Sequence, residues 1–267
     1  MPFAKVNQIN LYYELHGPTD GDVLVLSNGI LMSTASWSYQ IPVLSRHFRV
    51  LTYDCRGMWQ SDHPDEEYTM EVHADDLFGL LNVLKIDKAH IAGISYGSEI
   101  SMVFALKYPE KTKTLIVADG VSQIDPLLRS FGDTWIVAAR LKSAELLLKV
   151  TTPLNFSEEW IIKNSQILPV LEEKYKKLDF EAFLRLMDCF NHLNITENLP
   201  NIQVPTLIMV GEKDILKSRS YSEKIAERIP LSEFFVIPGS GHAMCLEKPN
   251  EFNSLVLGFI KKHADII

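Results

Sequence analysis

The chain has 267 residues, 46% hydrophobic and 22% charged, enough for one large core or a core with an inserted subdomain. A net charge of −8 argues against a nucleic-acid or anionic-membrane partner, and no basic or membrane-length apolar run offsets it. Cys55, Cys189 and Cys245 are widely separated with no metal-ligand spacing, and the N-terminus lacks the basic-then-apolar order of a signal peptide. These features lead us to expect a cytoplasmic protein with no metal or cofactor, acting on a small molecule.

In chain order, Phe3 to Val6 and Ile9 to Leu15 read as a hairpin turning at Asn7-Gln8. The continuous apolar run Val23 to Leu26 suits a buried strand, running out into Ser27-Asn28-Gly29-Ile30-Leu31 and then a helix from Ser36 to Leu44. Phe48 to Tyr53 is the next strand, followed by Asp54-Cys55-Arg56-Gly57 and a helix from Met70 to Leu84 with apolar residues at three- and four-residue steps. His90 to Ile94 is a strand, Ile100 to Leu106 a helix, and Thr114 to Ala118 a strand again. This alternation predicts an α/β fold, a mostly parallel sheet with helices on both faces.

At Val121 the alternation stops, and only helical patterns follow: Leu127 to Leu141, Ala144 to Val150, Glu158 to Asn164 and Phe180 to His192. Ser157 and Asp179 suit the N-caps of the last two. Strands resume at Thr206 to Val210 and Phe234 to Ile237, with helices from Tyr221 to Arg228 and Glu251 to Lys262. Residues 1–120 and 202–267 are therefore expected to form the core, and 121–201 a helical cap inserted over the edge of the sheet.

Between the strand ending at Ile94 and the next helix lies Gly93-Ile94-Ser95-Tyr96-Gly97, a match to G-x-S-x-G in its required strand-to-helix context. A serine on so sharp a turn needs neighbours lacking Cβ, and it presents its hydroxyl at the sheet's carboxyl edge beside a helix N-terminus. Such a hydroxyl needs an imidazole to take its proton. His242 follows a core strand in the loop Pro238-Gly239-Ser240-Gly241-His242, whereas His63, His73, His90 and His192 do not follow one and read as packing or surface residues. Asp214 is the expected orienting acid, in the order Ser…Asp…His; Asp119, also at a strand end, is its rival. Asp54 reads as structural, pairing near Arg56 and Gly57. The amides of Tyr96 and of Ile30, after the turn at Gly29, are the expected oxyanion donors.

These stretches, with Ser61-Asp62, Gly211-Glu212-Lys213-Asp214 and Leu246-Glu247-Lys248-Pro249, give the chain a resemblance along nearly its whole length. It resembles the lid-bearing α/β-hydrolases, the group of small carboxylesterases and 3-oxoadipate enol-lactonase-like enzymes. The resemblance implies a Ser95, Asp214, His242 triad and an oxyanion hole at Ile30 and Tyr96. Three positions depart from the family pattern: Asn28 where histidine is usual, Trp59 for the second glycine of D-x-R-G-x-G-x-S, and Ser98 for a glycine after the elbow. Trp59, with Trp135 and Trp160 of the insertion, is an expected pocket residue. The resulting reading is a metal-independent serine hydrolase cleaving a small, largely apolar ester, thioester or lactone through an acyl-enzyme. The same triad also suits C–C bond hydrolysis or perhydrolysis, and the same fold a small-molecule receptor with slow turnover.

Overall fold

The structure, a computed structural model, describes residues 3–263. Its strands are β1 (Phe3–Val6), β2 (Ile9–His16), β3 (Val23–Ser27), β4 (Arg49–Tyr53), β5 (Ala89–Ile94), β6 (Thr112–Ala118), β7 (Thr206–Gly211) and β8 (Ser232–Ile237). They form one sheet in the order β1-β2-β4-β3-β5-β6-β7-β8, in which the β1–β2 and β2–β4 pairs are antiparallel and all the others are parallel. Every residue of β3, β5 and β7 is buried, which explains their unbroken apolar character: both faces are covered. Successive residues serve opposite faces. Val25, Ile91 and Leu115 enter one core cluster, while Leu24, Ala92 and Ile116 enter the other.

The helices are α1 (Ile41–Leu44), α2 (Met70–Val83), α3 (Tyr96–Lys107), α4 (Pro126–Arg140), α5 (Ala144–Asn155), α6 (Glu158–Asn164), α7 (Leu168–Tyr175), α8 (Phe180–Asn191), α9 (Arg219–Ala226), α10 (Met244–Glu247) and α11 (Pro249–His263). Side chains of α2, α3 and α9 fill the first cluster, and those of α1 and α11 the second. Among the described residues no helix is long and apolar enough to cross a membrane.

Proline position explains where helices differ from the sequence reading. The helix expected from Ser36 to Leu44 is broken into a 3₁₀ turn, Thr34–Trp37, and α1, whose first turn holds Pro42, where its missing N–H costs no helical hydrogen bond. α7, which was not expected, starts with Pro169 in its first turn, a legitimate start signal. α5 runs past Val150 and through Pro153, with the Thr151 and Thr152 hydroxyls bonding back to the Leu147 and Leu148 carbonyls.

α4 to α8 all lie between β6 and β7. An antiparallel bridge between Gln123 and Asn194 holds the two ends of this insertion together. The insertion has its own apolar cluster, including Trp135, Leu147, Tyr175 and Phe183, which Leu216 of the core joins. Ser157 caps α6 through the Trp160 amide, and Asp179 caps α8 through the Glu181 and Ala182 amides.

Candidate active site

Ser95 stands between β5 and α3 with φ 54° and ψ −120°, a left-handed region that costs a non-glycine residue about 1–3 kcal/mol. Its neighbours show why the turn needs glycine. A Cβ on Gly93 would lie 2.0 Å from the Gly97 carbonyl oxygen, and one on Gly97 would lie 2.1 Å from that of Ser27. Ser98, at a position where the family has glycine, is buried; its hydroxyl lies 2.7 and 2.8 Å from the Gly93 and Ala118 carbonyls and accepts from the Ala118 amide. It pins the elbow to β6. Ser95 itself is half-buried, and among the described residues neither the Tyr96 nor the Ile30 amide donates to a protein acceptor.

The turn after β7 and the loop after β8 pack backbone on backbone. A Cβ on Gly211 would sit 2.3 Å from the Gly241 oxygen, so only glycine permits the approach. That approach brings Asp214 Oδ2 to 2.7 Å from His242 Nδ1. The other carboxylate oxygen accepts from the Leu216 and Lys217 amides, both at 2.9 Å. The His242 loop is also tied to the insertion: the Ala243 amide donates to the Asn155 carbonyl at 2.8 Å, and Ser157 bonds Glu247 through both amide and hydroxyl.

Asp119 lies on the far side of Asp214. Its Oδ1 accepts from the Gly211 amide at 3.0 Å, and the carboxyl neighbours that of Asp214. Burial and the Asp214 charge push the Asp119 carboxyl well above its ordinary range. Burial also pushes Asp214 upward, but the His242 ring, the Lys217 amide and Asp119 outweigh it and hold Asp214 below the usual range. Of the two, Asp214 is the group whose charge its surroundings favour, and Asp119 the one that holds its proton to higher pH. Asp119, Asp214 and His242 each bring a donor atom within 4.8 Å of the other two, a spacing that would also admit a metal ion. The Asp214–His242 hydrogen bond and the Gly211 amide on Asp119 already hold these groups in place.

The raised Asp119 carboxyl has a measurable consequence. An unfolded aspartate releases its proton near pH 3.9, while Asp119 in the fold keeps it to higher pH. The unfolded state then binds fewer protons, so this group removes stability as pH rises above that value. Asp119→Asn abolishes the effect. Its melting temperature relative to wild type should therefore rise between pH 4 and pH 8, by roughly 2–4 °C per kcal/mol relieved. A relative melting temperature that stays flat or falls over that range means Asp119 is ionised in the fold.

Ser95 opens onto two cavities that share Ile30, Ser95 and Trp135. The smaller, about 30 Å³, is walled by Tyr96, Leu128, Met187 and Phe190, with Lys217 at its border. The larger, about 110 Å³, is lined by His242 and by Asn155, Phe156, Lys174 and Tyr175 of the insertion.

The α/β-hydrolase fold family profile matches residues 22–249, most of the chain. The chain belongs to the α/β-hydrolase fold family, and it is a hydrolase. It is 31% identical to MGS-M2, an α/β-hydrolase enzyme from a Medee basin deep-sea metagenome library; the match covers 97% of each chain with a TM-score of 0.90. The proposed carbamate hydrolase RutD of Caulobacter vibrioides is 30% identical over 94% of this chain and 95% of its own. A thermophilic esterase from Thermogutta terrifontis is 25% identical, with a TM-score of 0.88 over 97% of each chain.

As an α/β-hydrolase, the protein shows how its departures from the family pattern are accommodated. Asn28, at the usual histidine position, is buried; its amide group donates to the Tyr53 carbonyl and Asp54, and it accepts from Trp37 Nε1 at 2.7 Å. It locks the loops after β3 and β4 together. Trp59 has φ 43°, which explains the family's preference for glycine there. It lines a neighbouring cavity with Gly57, His63 and Phe183 rather than either of the two that Ser95 borders. Trp160 lines neither cavity because it is stacked on Phe156, ring centroids 4.0 Å apart. Only Trp135 of the three is at Ser95. Asp54 does not pair with Arg56, which instead forks onto Asp76 at 2.8 and 2.9 Å.

Two residues absent from the sequence reading border the cavities. Lys217 donates to both oxygens of Glu99, at 3.0 and 2.9 Å, forming a buried ion pair beside the smaller one. Lys174 of α7 reaches the larger one. The Pro169 start signal was the clue to α7, and the helix in turn carries Lys174.

Proposed function

We propose that the protein is a serine hydrolase cleaving a small carboxylic ester, thioester or lactone through an acyl-enzyme on Ser95. The observation that carries this reading is that strained Ser95 and Asp214-bonded His242 border one cavity. With Nδ1–H donated to Asp214, the His242 Nε2 is left to accept the Ser95 proton as its Oγ attacks the carbonyl carbon. The Tyr96 and Ile30 amides receive the developing oxyanion. His242 then passes the proton to the departing oxygen or sulfur, and water repeats the sequence to release the acid.

Proton delivery assigns the two cavities. The departing group must lie against His242, so the larger cavity takes the leaving half and the smaller, apolar one the acyl half. The insertion acts as a cap, keeping bulk water from the acyl-enzyme and setting the length of acyl chain accepted. One more buried methylene is worth about 0.8 kcal/mol, nearly fourfold in kcat/KM, until the cavity is full.

A p-nitrophenyl ester series tests this. We expect kcat/KM to rise over the first few acyl carbons and then fall. Trp135→Ala, opening the wall between the cavities, should move the optimum to longer chains. A flat series in which Trp135→Ala lowers only thermal stability removes the acyl assignment. The likeness to RutD favours a second reading, a carbamate as the acyl donor, and methyl carbamates belong in the same panel.

A further inference from the structure

Most charged side chains around Ser95 are already committed. Asp214 is held by His242 and two amides, and Lys217 is held by Glu99. Glu247 is held by Ser157. Lys174 differs. The residue lines the cavity that contains His242, and among the described residues its ammonium has no carboxylate partner. It lies 4.4 Å from the centre of the Trp59 ring and makes one long hydrogen bond, 3.3 Å, to the Ser33 hydroxyl. An ammonium carries three donors, so its hydrogen-bonding capacity is largely unspent.

Asp54 is the nearby acid, but its oxygens accept from Asn28 Nδ2 and from the Thr34 and Gln60 amides. Burial lowers the Lys174 pKa, and the Asp54 charge opposes it. An anion seated against the ammonium relieves that burial cost. The Trp59 face holds the side chain in place, a use for the indole that its left-handed backbone would otherwise make costly.

We infer that Lys174 binds an anionic group, a carboxylate, on the leaving half of the substrate. The preferred substrate class is then an ester, thioester or lactone with a short acyl half and a carboxylate-bearing alcohol, enol or thiol. The inference rests on the proposed assignment of the larger cavity to the leaving half. It adds a charge requirement to a site whose other walls are largely apolar.

The test compares two acetates that differ only in leaving-group charge, 4-acetoxybenzoate and its methyl ester, hydrolysed by the full-length enzyme. Taking the ratio of kcat/KM for the two and comparing variants cancels their intrinsic reactivities. In Lys174→Met that ratio should fall by about 10- to 100-fold, mainly through KM, as expected for loss of a charged hydrogen bond. Lys174→Arg should restore most of it. Lys174→Gln serves if the methionine variant does not fold, and stoichiometric fluorophosphonate labelling checks that each variant keeps a reactive serine. An unchanged ratio overturns the inference. So does a loss seen instead with p-nitrophenyl hemisuccinate relative to the butyrate, which would move the anion to the acyl half. Failure of wild type to hydrolyse any of these esters or take the label counts against the serine-hydrolase reading itself; turnover with an unmoved ratio counts only against Lys174.

Discussion

Ser95→Ala is expected to lower kcat on any turned-over ester by roughly three or more decades, with His242→Ala matching it and the double variant little worse. In the proposed mechanism Ser95 and His242 act with Asp214 as one proton-transfer unit, so removing either of the two disables the same step. Alanine keeps the Cβ of serine, and the backbone of Ser95 already holds a side chain at φ 54°, so the elbow itself is preserved. A fluorophosphonate should label wild type at one site and leave Ser95→Ala untouched. Labelling of that variant at another serine would show that the nucleophile lies elsewhere.

The second large effect separates two aspartates. In Asp214→Asn the carbonyl oxygen can still accept from the Leu216 and Lys217 amides, which leaves the NH₂ group facing His242 Nδ1. The ring must then accept at Nδ1 and carry its proton on Nε2, where it cannot take one from serine. The expected loss is about four decades in kcat with the fold intact. Asp119 makes no hydrogen bond to His242, and its surroundings favour the neutral carboxyl that asparagine resembles, so Asp119→Asn should remain active. The reverse outcome, an inactive Asp119→Asn beside an active Asp214→Asn, would mean the orienting acid is misassigned.

The two aspartates also show where the sequence becomes ambiguous. Both stand just past the end of a buried strand, and chain order favours Asp214 without excluding Asp119. The close approach of Gly211 to Gly241 turns Asp214 toward the imidazole and leaves Asp119 behind it. Arg56 posed a similar problem: Asp54 is its near neighbour in sequence, but the fold places Asp76 of α2 against the guanidinium. Local spacing reports which groups are nearby along the chain, whereas an ion pair requires proximity in space.

The sequence by itself determined the sheet and the elbow, because both are written in local terms. A strand covered on both faces needs an unbroken apolar run, and a serine forced into a left-handed turn needs glycine where a Cβ would strike backbone. It also determined that the segment between β6 and β7 is helical. Only the tertiary structure decided which side chains of that segment face Ser95. Trp135 and Trp160 are both large aromatics on helices, yet one borders the cavities and the other is spent on Phe156. Lys174 looks, in the run Glu172-Glu173-Lys174-Tyr175-Lys176-Lys177, like one charge of a solvated surface. Its burial over Trp59 depends on how α7 is rotated and seated on the core, and that is set by packing among residues far apart in the chain.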